Sequence, residues 1–130
     1  MTHEFETRVY YEDTDLAGIV YYANYLKFIE RARTEWVRSK GIDQAALKAE
    51  TGIVFAVRRV EADYVSPARF DDVLTVRTVV EKLGRAQITL SQEIFRAETC
   101  LFNSRVTLVA LKENGKPARL PAALARAAGE

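Results

Sequence analysis

Two reactive side chains are nearly missing from this chain: in 130 residues there is one cysteine, Cys100, and one histidine, His3. A single cysteine rules out an intrachain disulfide, and one of each makes a Cys/His zinc site untenable, since such sites take four ligands. A Cys–His nucleophilic pair is also disfavoured, because His3 sits at the terminus and Cys100 falls in a predicted strand. The bland expectations are a solvated His3 and a Cys100 filling a small core or interface position. Any chemistry falls to carboxylates, hydroxyls, Lys, Arg or backbone amides.

Excess charge of one sign is lacking too. Lys and Arg total 19 against 18 Asp and Glu, a net +1, so nothing in the charge balance calls for nucleic acid. Long hydrophobic runs are absent, and Met1-Thr2-His3-Glu4-Phe5-Glu6 has neither the basic start nor the apolar middle of a signal peptide. The expectation is a cytoplasmic protein without a membrane span. With 48% hydrophobic and 28% charged residues, the chain is predicted to form one domain over 1–130, with 116–130 as a C-terminal tail.

What is present is pattern. Phe5 to Tyr11 alternates as a first strand, and the acidic run Glu12, Asp13, Asp15 followed by Gly18 ends it. From Tyr22 to Lys40 apolar residues recur at three- and four-residue spacing, including Tyr25, Phe28, Ile29, Ala32 and Trp36. That is a helix with one buried face, supported on its wet side by the pairs Glu30/Arg33, Arg31/Glu35 and Glu35/Arg38 and stopped at Gly41. A short helical stretch around Asp43 to Glu50 follows. Strands are then predicted over Ile53–Tyr64, Val73–Lys82, Ala86–Ala97 and Cys100–Leu111, with a turn at Asn114-Gly115. The order predicts an α+β domain in which one antiparallel sheet wraps one long central helix.

The run Tyr11-Glu12-Asp13-Thr14-Asp15-Leu16-Ala17-Gly18-Ile19-Val20-Tyr21-Tyr22-Ala23-Asn24-Tyr25 puts carboxylates between a strand and the start of that helix. Unpaired N–H groups at a helix start favour a carboxylate and can polarise a carbonyl oxygen, which outlines an acyl-transfer site. Taken alone, an Asp before a helix is more often a cap. A metal cluster at Glu12, Asp13 and Asp15 has no companion ligand motif, so no metal is expected. Gly18 is expected to supply a backbone conformation or a close approach closed to other residues.

The same run resembles the signature of hotdog-fold acyl-CoA thioesterases of the 4-hydroxybenzoyl-CoA thioesterase family, particularly the subgroup associated with the bacterial Tol-Pal envelope system. The likeness continues through Phe28-Ile29-Glu30-Arg31-Ala32-Arg33-Thr34-Glu35, Val57-Arg58-Arg59, Tyr64-Val65-Ser66-Pro67-Ala68-Arg69-Phe70-Asp71-Asp72 and Lys116-Pro117-Ala118-Arg119-Leu120-Pro121. The resemblance implies a hotdog fold, a five-stranded antiparallel sheet wrapped around one helix, with two subunits joining sheets edge to edge and active sites at the dimer interface. It implies a homo-oligomer, either a dimer or a dimer of dimers (homotetramer), acting on an acyl-CoA without a cofactor.

By the same resemblance Asp15 is the catalytic carboxylate, as nucleophile or general base, and the backbone N–H of Tyr22 holds the thioester carbonyl oxygen. Tol-Pal-associated members often carry His where this chain has Tyr22, so the mechanism expected here is Asp plus backbone. Gly18, Tyr25, Phe55 and Val57 become candidate substrate contacts, although aromatics at helical spacing are commonly core. Arg58, Arg59 and Arg85 become candidates for the coenzyme A phosphates, with Arg59 weakest because neighbours on a strand face opposite ways. Two other functions fit the resemblance: a catalytically weak acyl-binding or scaffold protein of an envelope or lipid-synthesis complex, and a hydratase or dehydratase. The latter ranks last because it pairs a carboxylate with a histidine in this architecture.

Overall fold

A computed structural model describes residues 2–128; Met1 and the last two residues of the expected tail lie outside that range. In chain order the elements are β1 (Thr2–Arg8), a 3-10 turn at Tyr11–Asp13, α1 (Asn24–Ser39), α2 (Gln44–Thr51), β2 (Val54–Tyr64), β3 (Val73–Leu83), β4 (Gln87–Arg96), β5 (Thr99–Leu111) and α3 (Ala122–Ala128). The five strands form one antiparallel sheet in the order β1-β3-β4-β5-β2. Strands β1 and β2 are therefore its two edges.

The inner face carries Leu74, Val76, Ile88, Leu90, Ile94, Phe102, Val106 and Leu108, and α1 turns Tyr25, Phe28, Ile29, Ala32, Trp36 and Val37 into the same core. Fully burying side chains of this size contributes about 1.5–3 kcal/mol each, which is what holds a 16-residue helix of marginal intrinsic stability in place. One polar residue interrupts the inner stripe of β4. Gln92 is fully buried, yet its Nε2 donates to the Ile29 carbonyl and to the Thr78 hydroxyl, each at 3.0 Å, and its Oε1 accepts from Arg33 at 3.0 Å. Every polar atom of that side chain is used, and α1 is pinned to β3 and β4.

Several expectations are corrected. The first strand lies at Thr2–Arg8, earlier than Phe5–Tyr11, because Tyr11 enters the 3-10 turn. His3 is therefore inside β1 and half-buried, not a solvated terminal side chain, and its Nδ1 is buried without a hydrogen-bond partner. The helix starts at Asn24, two residues later than expected, since Tyr22 and Ala23 form a turn closed by Asn24 N–H to the Tyr21 carbonyl at 2.8 Å. Of the three helix pairs only Glu35 with Arg38 forms among the described residues; Arg33 is drawn inward to Gln92 instead. The expected tail is packed: Ala118, Leu120 and Leu124 are core residues, held by Ala118 N–H to the Ala110 carbonyl and Leu120 N–H to the Arg85 carbonyl, both 2.8 Å. No described helix is long and apolar enough to cross a membrane.

Candidate active site

Asp15 stands at the tip of a tight loop. The loop closes through a bridge between Thr14 and Val20, with Asp15 N–H to the Ile19 carbonyl and Gly18 N–H to the Asp15 carbonyl, both 2.9 Å. Gly18 sits at φ +81°, and a Cβ built there would meet nothing within 4 Å. The glycine is thus required by backbone conformation and not by a close approach. The Asp15 side chain is exposed, and its Oδ1 accepts the Ala17 N–H at 2.9 Å, which orients the carboxylate and leaves Oδ2 free among the described residues.

Asp15 is not itself at the helix terminus. The segment between them is stapled through Asp13, whose backbone carbonyl accepts both the Tyr21 N–H at 3.0 Å and the Asn24 Nδ2 at 2.9 Å. Loop 65–72 supports the far side: Val20 N–H donates to the Ala68 carbonyl at 2.9 Å, and Ile19 bridges Arg69. Among the described residues the N–H groups of Tyr22 and Ala23 donate to no protein acceptor, while the Tyr22 carbonyl accepts the Tyr64 hydroxyl at 2.9 Å. An exposed carboxylate and free, fixed amide donors thus share one stapled segment.

The two tyrosines of this segment differ. The Tyr22 side chain is 62% exposed and its ring meets those of Tyr21 and Tyr64 edge-on. Tyr25 is 3% exposed, stacks on Phe102 at 5.2 Å and uses its hydroxyl to accept the Ala68 N–H at 3.0 Å. Tyr25, expected as a candidate substrate contact, is a core residue whose ring packs on Phe102 and whose hydroxyl is used within the chain, a brace for the loop at Ala68.

Phe55 and Val57 lie elsewhere on the single chain. With Leu108 they form one wall of a cleft of about 190 Å³, whose opposite wall is Glu30, Arg33 and Thr34 of α1. At ~1.5 Å per residue the α1 residues of this wall, Glu30 to Thr34, lie about 9–15 Å along the axis from Asn24, and no residue of the Asp15 loop lines the cleft. Burial pulls the Arg33 guanidinium below its ordinary pKa, opposed by the neighbouring Glu30.

The three arginines gather near the β3–β4 turn. A β-bulge between Val57 and Arg59 leaves Arg58 unpaired in the β2–β5 ladder, so the alternation that would set Arg58 and Arg59 on opposite faces fails here. Arg58 reaches the Gln87 Oε1 at 2.9 Å, two residues beyond Arg85, and Arg59 shares an outer-face groove with Gln87 while pairing with Glu61 at 3.3 Å. Arg58 and Arg85 remain without a carboxylate partner among the described residues. No group of three or more His, Cys, Asp or Glu among the described residues is placed to hold a metal ion.

Sequence reasoning missed the supports of the site: Tyr64, Ala68 and the Asp13 carbonyl. For Tyr64 and Ala68 the only signal was that Tyr64 to Asp72 belongs to the conspicuous motif series, and for Asp13 its place in the acidic run; the contacts themselves join segments apart in the chain.

Comparison with known proteins places the chain in a family. The family model of the thioesterase superfamily matches residues 17–101. The acyl-CoA thioester hydrolase YbgC of Shigella flexneri is 42% identical over 88% of this chain and 86% of its own. The acyl-CoA thioesterase YbgC of Haemophilus influenzae is 41% identical over 86% and 82%. A crystal structure from Bartonella henselae, described as a probable thioesterase, superimposes with a TM-score of 0.89 at 37% identity, covering 93% of this chain and 100% of that one. The chain belongs to the thioesterase superfamily, and its five-stranded antiparallel sheet is that of hotdog-fold thioesterases.

Proposed function

We propose that this protein hydrolyses the thioester of an acyl-coenzyme A to the free acid and coenzyme A, the activity named for its relatives, and that α1 is the single central helix around which the sheet wraps. Asp15 acts on the thioester carbonyl in one of two ways. As a nucleophile it forms a tetrahedral oxyanion, expels the coenzyme A thiolate and leaves a mixed anhydride that water hydrolyses; as a general base it takes a proton from the water that attacks directly. In either case the developing oxyanion needs fixed donors, and the observation that carries the reading is the free Tyr22 N–H held on the same stapled segment as Asp15. The chemistry uses no cofactor, coenzyme A entering with the substrate.

The separation of Asp15 from the Phe55/Val57 cleft is resolved by a dimer. Pairing of the open β2 edge with that of a second copy about a two-fold axis runs the strands antiparallel, which sets the start of one β2 beside the end of the other. Phe55 and Val57 of one copy then wall the acyl or pantetheine path leading to Asp15 and Tyr22 of the other. Arg58 and Arg85 are the better candidates for the phosphates, Arg59 being partly neutralised by Glu61. A dimer of dimers would keep these sites intact.

The test is thiol release from a panel of acyl-CoAs varying in chain length and aromaticity, with Asp15→Asn as the variant. Asparagine still accepts the Ala17 N–H, so the loop is expected to persist while kcat falls by about 10²- to 10⁴-fold. Undiminished turnover in Asp15→Asn would overturn the assignment, and acyl-CoA binding without turnover by the wild-type protein would favour the acyl-binding alternative.

A further inference from the structure

The residues just before α1 face a structural difficulty. Tyr22 and Ala23 precede the first intrahelical hydrogen bonds, and their N–H groups have no acceptor among the described residues. The Asp13 carbonyl holds the chain on either side of them, at Tyr21 and Asn24, but not the Tyr22–Ala23 peptide unit itself. That unit has a single side-chain tether, the Tyr64 hydroxyl, which donates to the Tyr22 carbonyl at 2.9 Å.

Tyr64 is well placed to be a rigid tether. It is the last residue of β2, and its ring meets Tyr25 edge-on at 5.2 Å, Phe102 at 5.1 Å and Tyr22 at 6.2 Å. Two of those partners, Tyr25 and Phe102, are buried core residues stacked on each other, so the ring is fixed independently of its hydroxyl. Burial, reinforced by Tyr22 and Tyr25, pushes the phenol pKa up, so the group remains an O–H donor across the working pH range.

We propose that Tyr64 is a positioning residue of the reaction: by donating to the Tyr22 carbonyl it fixes the Tyr22–Ala23 peptide unit, which adjoins the Tyr21–Tyr22 unit held by Asn24 N–H to the Tyr21 carbonyl, so that the Tyr22 N–H meets the substrate's carbonyl oxygen already aimed. This rests on the thioesterase reading above and deepens it. Preorganised donors stabilise an oxyanion because they need no reorientation as charge develops, and a small misplacement of such a group is felt chiefly in the chemical step. In this role the Tyr64 hydroxyl acts through the Tyr22 peptide unit and not on the substrate itself.

Tyr64→Phe removes the tether and keeps the ring. Steady-state kinetics on the best acyl-CoA of the panel are compared for wild type, Tyr64→Phe and Asp15→Asn, together with backbone amide order parameters of the ligand-free full chain. The expected result for Tyr64→Phe is a kcat about 10- to 100-fold lower with KM within about twofold. Order parameters at Tyr22 and Ala23 should drop from about 0.85 towards ~0.6 while the sheet stays rigid. Unchanged kcat beside an inactive Asp15→Asn overturns the positioning role and leaves the thioesterase reading standing. Order lost throughout the sheet overturns it as well, by showing a general structural role. A wild type that turns over no acyl-CoA sinks the thioesterase reading, and the order parameters at Tyr22 and Ala23 then decide alone whether Tyr64 fixes this segment.

Discussion

The two edges of the sheet are built on opposite plans. On β1 the outward positions Glu4, Glu6 and Arg8 are exposed charges, two of them paired: Arg77 with Glu4 at 3.3 Å and Arg8 with Asp71 at 3.0 Å. Such charges deter a second strand from adding to the edge. On β2 the inner-face positions Val57, Val60 and Tyr64 are 47%, 41% and 47% exposed, since α1 packs over β1, β3 and β4 and leaves them uncovered. A long edge strand with an apolar inner face is a liability in a monomer and an asset in an assembly. The contrast favours the proposed pairing through β2: one edge is guarded, and the other is left open as an edge reserved for a second copy would be.

The sharpest way to break this contrast is Val60→Lys, which sets a charge in the middle of the reserved edge. Because the proposed site draws on both copies, the variant is expected to sediment as a single chain and to lose nearly all thioesterase activity, a factor of at least about 10². Glu6→Lys, the comparable change on the guarded edge, should alter neither. Light scattering with thiol release reads both effects, and a wild type that is already a single chain in solution would refute the reserved edge outright.

The sequence made these edges unequally legible. Strands β2 to β5 stand out because their alternation is long and rich in β-branched residues, and α1 because its apolar stripe is continuous. At β1 the inward positions are His3, Phe5 and Thr7, too weakly apolar to mark the strand's start, and the stronger Val9 drew the reading past its end. The bulge at Arg58 leaves no local trace, because it is set by pairing with β5. The same is true of Ala118 and Leu120, whose burial depends on backbone partners at Ala110 and Arg85. Within the site, the loop around Asp15 was visible through its Asp and Gly residues. The spacing of Tyr25 set it on the buried face of α1, but the spacing of an aromatic on a helix does not say whether a core or a ligand covers it.

A smaller effect separates the edges by their dependence on protein concentration. Phe5 packs half-buried against the core from β1. Phe5→Ala is expected to cost about 2 kcal/mol, below the range for a fully buried aromatic, and to do so equally at all protein concentrations. Val57→Ala on β2 should cost less in a dilute sample and progressively more as concentration favours assembly, because its lost contacts lie between copies. Chemical denaturation at two protein concentrations distinguishes them; equal, concentration-independent losses would count against β2 as the shared edge.

The smallest expected effect lies in a weakness of the guarded edge itself. His3 points inward from β1 with its Nδ1 buried and unpartnered, and burial first, then the charge of Lys40, lower its pKa from the ordinary value of about 6.5. A group protonated more readily in the unfolded chain makes stability rise with pH: the contribution is complete above about pH 6.5 and is lost as pH falls through the folded-state value. Protonation would place a second N–H donor where no acceptor stands, so β1 should loosen before β2 on acidification. His3→Leu, which cannot titrate, is expected to flatten the slope of melting temperature against pH just below 6.5 without altering the melting temperature's response at higher pH. An identical slope in wild type and variant would show that the acid sensitivity of this edge arises from its carboxylates and not from His3.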